Sequence, residues 1–185
     1  MTVGSVEPLK QLYSWYSDQV EFLELWTRQA HPGEQRHHYS NYEEKLADAR
    51  EYNDMERLPW LLLVDDYQGT VHRQYAAEMT DPTFLIDADG TIAFYNMWTH
   101  GSTLKRAIDE LLAQGGRGTV LGGIDKKPHL LASFADGYRG PRRGGRRAVL
   151  EYDLGAGGAG TMSFLGKHIG PLRKIALDSR PRSER

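Results

Sequence analysis

The sequence predicts an α/β fold: a mostly parallel sheet covered by helices on both faces and finished by an antiparallel hairpin. Three observations carry this. Helix-like and strand-like segments follow one another in the order α-β-α-β-α-β-β-α, and such alternation implies parallel strands joined by crossover helices. Two strand-like runs, VEFLELW at Val20–Trp26 and PWLLLVDD at Pro59–Asp66, are apolar on both faces, as strands sandwiched between helices are. The run DPTFLIDADGTIAFYNMW, Asp81–Trp98, sets an Asp-Gly pair between two strand-forming stretches, the signature of a tight hairpin turn.

The first helix is expected from Ser5 to about Asp18. Ser5 can cap it, and Glu7 suits the positive end of the helix dipole. Pro8 is tolerated in the first turn, where its missing N–H costs no bond. Leu9, Leu12, Tyr13 and Tyr16 recur at helical spacing. A strand over Val20–Trp26 and a polar loop, RQAHPGEQRHHYS, follow. SNYE, Ser40–Glu43, reads as a capping box for a helix ending near Glu56, with Tyr42, Leu46 and Ala49 as its apolar stripe. Pro59–Asp66 is the next strand, and Gly69-Thr70 opens a brief helix ending near Glu78. The hairpin follows, turning at Ala88–Thr91. Ser102 caps a last helix that buries Leu104, Ala107, Ile108, Leu111 and Leu112, and Gly115 stops it.

Composition bounds the rest. The chain has 185 residues, 39% hydrophobic and 26% charged, which describes a globular protein able to bury its own core. No apolar run approaches the length of a membrane span, and the first residues lack a basic start and an apolar region, so a cytoplasmic location is expected. There is no cysteine, which excludes disulfides, zinc-thiolate sites and a thiol nucleophile within these residues. The net charge of −2 hides an asymmetry. Residues 1–114 hold 9 Lys/Arg against 19 Asp/Glu, and residues 115–185 hold 14 against 6 together with 15 of the 20 glycines. The expected division is therefore a compact domain over 1–114 and a basic Gly/Arg-rich extension over 115–185, partly ordered at most.

These residues carry a family likeness. PLKQLYSWYSDQVEFLELWTRQAHPGE, LPWLLLVDDYQGTVHR and TFLIDADGTIAFYNMW together resemble the helix, strands and closing hairpin of the deiodinase-like, redoxin branch of the thioredoxin-like superfamily. The likeness spans roughly residues 1–114. It implies a thioredoxin-like three-layer α/β/α sandwich with a mixed sheet, lacking the first, central strand. In that family this strand ends in a cysteine or selenocysteine and a proline just before the first helix. Met1-Thr2 matches the Met-Thr that follows in bacterial relatives, so the resemblance puts the nucleophile just upstream of Met1. Either the start lies further upstream, or the protein has lost its redox centre. A missing central strand would leave two inner edges, and each buried polar group left without a partner costs about 1–3 kcal/mol.

The resemblance also implies a substrate groove. In the family a Glu-Ala-His loop lines the pocket, and here it reads Gln29-Ala30-His31. The glutamine removes an acid-base group, which counts against a deiodinase mechanism, and His31 is left as an accessory group. Pro82 matches the family's cis-proline, whose ring prevents strand pairing and shapes the groove, with Asp81 and Thr83 beside it. The plainer reading of Pro82 is a proline that starts a strand, and that of His31 is a loop histidine bonded to backbone.

Other features point to bland roles. Trp60 and Trp98 read as core aromatics. His37-His38 has no acidic partner at ligand spacing and Asp87–Gly90 has no closing glutamate, so no metal and no cofactor are expected. His72 reads as a helix-surface residue. RGPRRGGRRAV, Arg139–Val149, could meet nucleic-acid phosphates, but no aromatics interleave, and a solvated basic linker, with docking on the acidic domain open to it, is the preferred reading. HLLASFADGY, His129–Tyr138, could form a turn or two, and TMSFLGKHIGPLRKIAL, Thr161–Leu177, is too rich in glycine to predict as a helix.

The function expected from the resemblance is a thiol-dependent oxidoreductase acting on a disulfide or peroxide once the upstream cysteine strand is restored. The alternative is a non-catalytic thioredoxin-fold binding module. Nucleic-acid and membrane partners are not expected, and a homo-oligomer is compatible with both readings.

Overall fold

The structure is a computed structural model. It describes residues 2–27, 32–76, 81–96, 99–121, 143–155 and 157–169. The elements are α1 (Thr2–Tyr16), β1 (Leu23–Trp26), α2 (Tyr42–Glu56), β2 (Leu61–Val64), α3 (Thr70–Ala76), β3 (Thr83–Ile86), β4 (Ile92–Asn96), α4 (Gly101–Ala113), α5 (Arg146–Gly155) and α6 (Ala159–His168). The protein is thus a mixed α/β chain in the order the sequence predicts, and the described residues add two helices after α4. No helix among the described residues is long and apolar enough to cross a membrane.

The chain divides into two compact units that interleave along the sequence. One takes Met1–Pro8, Asp81–Tyr138 and Met162–Arg185, and the other takes Leu9–Thr80 and Arg139–Thr161. We call them the hairpin unit and the parallel unit. Each contains stretches from both sides of residue 114.

In the parallel unit β1 and β2 pair in parallel, Leu23 opposite Leu61 and Trp26 opposite Val64. Strand side chains alternate between faces. Glu24 faces α2, where the Tyr52 hydroxyl donates to it at 2.9 Å. The opposite face carries leucines, with Leu23 and Leu61 each 58% exposed and Leu63 40%. The buried side of α2 is Lys45, Asp48, Ala49, Tyr52 and Glu56, while Tyr42 is exposed. This departs from the expected stripe of Tyr42, Leu46 and Ala49, because the charged side chains find partners that a helical period does not reveal. The cap of α2 also moves by one residue. Asn41 accepts the Glu44 N–H at 2.9 Å, and the Glu44 carboxylate accepts the Ser40 N–H at 2.8 Å.

In the hairpin unit β3 and β4 pair antiparallel, Thr83 opposite Asn96 and Ile86 opposite Ile92, with a bulge between Leu85 and Ile86. Helix α4 packs on β3 through Leu104, Ala107, Ile108 and Leu111, all buried. Its N-cap is His100 rather than Ser102, which is itself buried in the first turn. Past α4 the chain returns to the hairpin. The Ala88 N–H donates to Gly116 O at 2.9 Å, and the Val120 N–H to Ala93 O at 3.0 Å. Residues just past 114 thus belong to the compact hairpin unit.

Among the described residues, β1 pairs only with β2 and β3 only with β4. The described strands are thus one parallel pair and one antiparallel pair. Periodicity identifies strands but does not fix what meets their edges.

Candidate functional site

The expected groove residues Asp81 and Thr83 lie in a part-buried polar cluster of the hairpin unit. Its centre is Thr99, just past β4. The Thr99 N–H donates to Asp81 O at 2.9 Å. The Thr99 hydroxyl reaches Asp81 O at 3.2 Å and Asp81 Oδ1 at 3.4 Å, and it accepts from the Thr83 hydroxyl at 2.7 Å. From the first turns of α1, the Ser5 hydroxyl donates to Thr99 O at 3.0 Å. The start of α1 is thereby tied to the strand that follows Pro82. Ser5 does not cap α1 as expected, because the helix already runs from Thr2 and Ser5 turns inward, 5% exposed.

His100 extends the cluster into α4. Its Nδ1 accepts the Thr103 N–H at 3.4 Å and meets the Thr103 hydroxyl at 2.9 Å, with Ser102 Oγ at 3.3 Å. These contacts fit a neutral imidazole that uses Nδ1 as acceptor, the role an N-cap side chain fills. Asp81, His100, Ser102 and Thr103 are all buried. Buried polar groups cost free energy unless they are hydrogen-bonded, and the bonds within this cluster meet part of that need. Sequence reasoning named Asp81 and Thr83 but missed Ser5, Thr99, His100 and Thr103. The available signal was THGST at 99–103, a polar run directly before an amphipathic helix.

No peptide bond among the described residues is cis, so Asp81–Pro82 is trans, contrary to the cis bond expected. Thr99 pairs with the Asp81 carbonyl directly, and the proline simply precedes β3, the plainer of its two readings. Gln29, His31 and Trp98 lie outside the described residues, as does His129–Tyr138.

The parallel unit holds a second polar system that the sequence did not announce. Glu24 accepts from the Tyr52 hydroxyl at 2.9 Å and from Trp60 Nε1 at 3.1 Å. Burial pushes its carboxyl pKa up, the two hydrogen bonds oppose the shift, and nearby Glu56 adds to it. Trp60 is 8% exposed, a core aromatic. Trp26 stacks on Tyr52 at 4.6 Å and donates to the Tyr39 hydroxyl, which donates to Asp48 at 2.6 Å. Asp48 and Glu51 hold Arg36, and Arg143 of the basic segment lies 3.6 and 3.4 Å from the same two carboxylates. Of the basic run, Arg143 thus lies against acidic side chains rather than in solvent.

Lys45 is fully buried and donates to Asp66 O at 2.7 Å. Burial pushes its pKa down, against the attraction of Asp65 and Asp66. Asp65 accepts the N–H groups of Val71 and His72 at 3.1 and 2.8 Å, fixing the start of α3. His72 is 9% exposed rather than on the helix surface, because Asp65 draws that turn inward. His37 is exposed and sits 3.4 Å from Glu44. Among the described residues no three His, Cys, Asp or Glu side chains gather as a metal site.

The fold and the two polar systems define a mixed α/β protein in which Asp81 and Thr83, two of the expected groove residues, sit in a hydrogen-bonded cluster with Ser5, Thr99 and Thr103 hydroxyls and His100 nearby. No family model matches the chain, nor does any curated protein or solved structure.

Proposed function

We propose that the chain is the greater part of a thioredoxin-like, deiodinase-like redoxin, a thiol-dependent oxidoreductase when joined to an upstream strand bearing a cysteine. The supporting observation is the Ser5–Thr99 bond together with the Thr99–Asp81 and Thr99–Thr83 bonds. They hold the start of a 15-residue helix against the strand that follows Pro82. A helix N-terminus stabilises a thiolate and lowers its pKa. A cysteine delivered to that helix start would attack one sulfur of a substrate disulfide. The new S–S bond forms as the old one breaks, the leaving thiolate takes a proton, and a second thiol such as glutathione resolves the mixed disulfide.

The alternative is a binding module without redox chemistry. It is favoured by the absence of cysteine from the 185 residues and by hydroxyls already committed to one another. The reading of the coding sequence upstream of Met1 separates the two. An apolar strand ending in Thr-Cys-Pro supports the redoxin, and a longer protein carrying it should reduce a small disulfide or peroxide. An in-frame stop directly upstream, or equal activity in the 185-residue chain, would sink the proposal.

A further inference from the structure

The basic segment does more in the parallel unit than neutralise two carboxylates. The Gln35 N–H donates to Gly144 O at 3.0 Å, and the Gly33 N–H to Glu151 Oε2 at 3.1 Å. In the other direction, the two oxygens of Glu34 accept the Arg146 and Arg147 N–H groups at 2.5 and 2.6 Å. Glu34 thus caps α5 from a point more than a hundred residues earlier in the chain, filling the place of an N-cap side chain. The two backbones meet so closely that a Cβ on Gly33 would run into Gly144 O, and one on Gly144 into Pro32 O. Gly33 also has φ +72°, which favours glycine in its own right.

We propose that Arg143–Glu151 is an electrostatic strap over Pro32–Arg36, and that rising ionic strength frees both segments together. The backbone bonds give the strap its register, and charge holds it closed. The closing pairs join Arg36 and Arg143 to Asp48 and Glu51. Glu51 is 44% and Arg36 29% exposed, against 19% for Arg143 and 9% for Asp48, and the pairs on exposed Glu51 are the ones salt screens most. The strapped loop leaves the C-terminal end of β1, the end of a parallel strand where α/β sheets take ligands. The strap therefore sets whether that loop can move. The inference stands independently of the redox reading.

Hydrogen exchange read by mass spectrometry on the full chain tests it. Between about 0.1 M and about 1 M sodium chloride the screening length falls from about 10 Å to about 3 Å. Peptides covering 32–36 and 143–151 should then exchange about tenfold faster, each of the two pairs on Glu51 contributing a several-fold factor, while peptides of α4 serve as the unmoved reference. Asp48→Asn with Glu51→Gln should give the same release at low salt. Should that variant lose helix content, Glu34→Gln on the surface replaces it and should loosen the same two peptides. The strap is overturned if the two segments respond separately, or if neither moves relative to α4 across the salt series of the unaltered protein.

Discussion

The hairpin unit and the parallel unit solve the same problem with different chemistry. In the hairpin unit the packing face of α4 is Leu104, Ala107, Ile108 and Leu111, and beside it the Thr83 and Thr99 hydroxyls bond to each other while those of Ser102 and Thr103 meet His100. In the parallel unit the packing face of α2 carries Lys45, Asp48 and Glu56, and the strand opposite presents Glu24. The packing face of the first is apolar. The second sets charged side chains on its packing face and matches them with charged partners, such as Arg36 and Arg143 for Asp48. Stability should therefore respond mainly to volume in the first and to charge and pH in the second.

The largest expected effect is in the hairpin unit. Ile108 is 1% exposed, and Ile108→Ala removes buried methylenes and leaves a cavity, at about 2–5 kcal/mol. Urea unfolding followed by exchange of β3–β4 amides measures it. A loss no larger than that of a surface substitution would mean that α4 does not supply the core of this unit.

The parallel unit should break through Glu24. Glu24→Ala takes the acceptor from Tyr52 and Trp60, at about 1–3 kcal/mol. Glu24→Gln keeps an acceptor and removes the charge, so it separates packing from titration. Burial raises the Glu24 pKa above its ordinary 4.5. Folding thus favours the protonated form, and this contribution is full below the ordinary value and lost as pH rises toward the folded one. Glu51 runs the other way. Its hydrogen bond to Arg36 is the main cause that lowers its pKa to about 2, with the charge of Arg36 and nearby Arg143 adding. Its contribution is full above 4.5 and lost as pH falls toward about 2. Asp48 and Tyr39 are the other titratable groups in that cluster. Urea midpoints across pH should show Glu24→Gln abolishing the decline above pH 4.5 and leaving the acid limb intact. An unchanged profile would show that Glu24 titrates as it does in the unfolded chain.

The same contrast explains what could be read in the sequence. The order of the first eight elements was legible, because apolar period and turn residues are local signals. The buried face of α4 was legible for the same reason. The face of α2 was not, since Lys45 and Asp48 read as solvated charges until Asp66 O, Tyr39 and Arg36 are brought to them. Helix α5 was missed because its cap, Glu34, lies far upstream, and α6 because Gly160 and Gly166 lower helix propensity. Of the candidate site, Asp81 and Thr83 were named for a groove next to a cis-proline. Their actual partner, Thr99, follows the hairpin, and its role depends on where β4 ends.

The smallest effect concerns a turn whose glycine signal was correct and whose geometry was not. The Asp-Gly pair does not sit in a two-residue turn. Residues 87–91 form a wider loop closed by the Asp87 N–H on Thr91 O at 2.8 Å, with the Asp87 carboxylate accepting the N–H groups of Asp89, Thr91 and Gly118. Gly90 has φ +82° and nothing within 4 Å of an added Cβ. Gly90→Ala therefore meets only the left-handed backbone penalty, about 1 kcal/mol, and Gly90→Asn should recover part of it because asparagine tolerates that region. Gly33, at φ +72°, carries the same penalty and would also drive a Cβ into Gly144 O and Ala148. Gly33→Ala should thus cost more in the parallel unit than Gly90→Ala costs in the hairpin unit, both read as shifts in urea midpoint. Equal costs would mean that the Gly33–Gly144 approach opens in solution, and that the glycines there serve conformation alone.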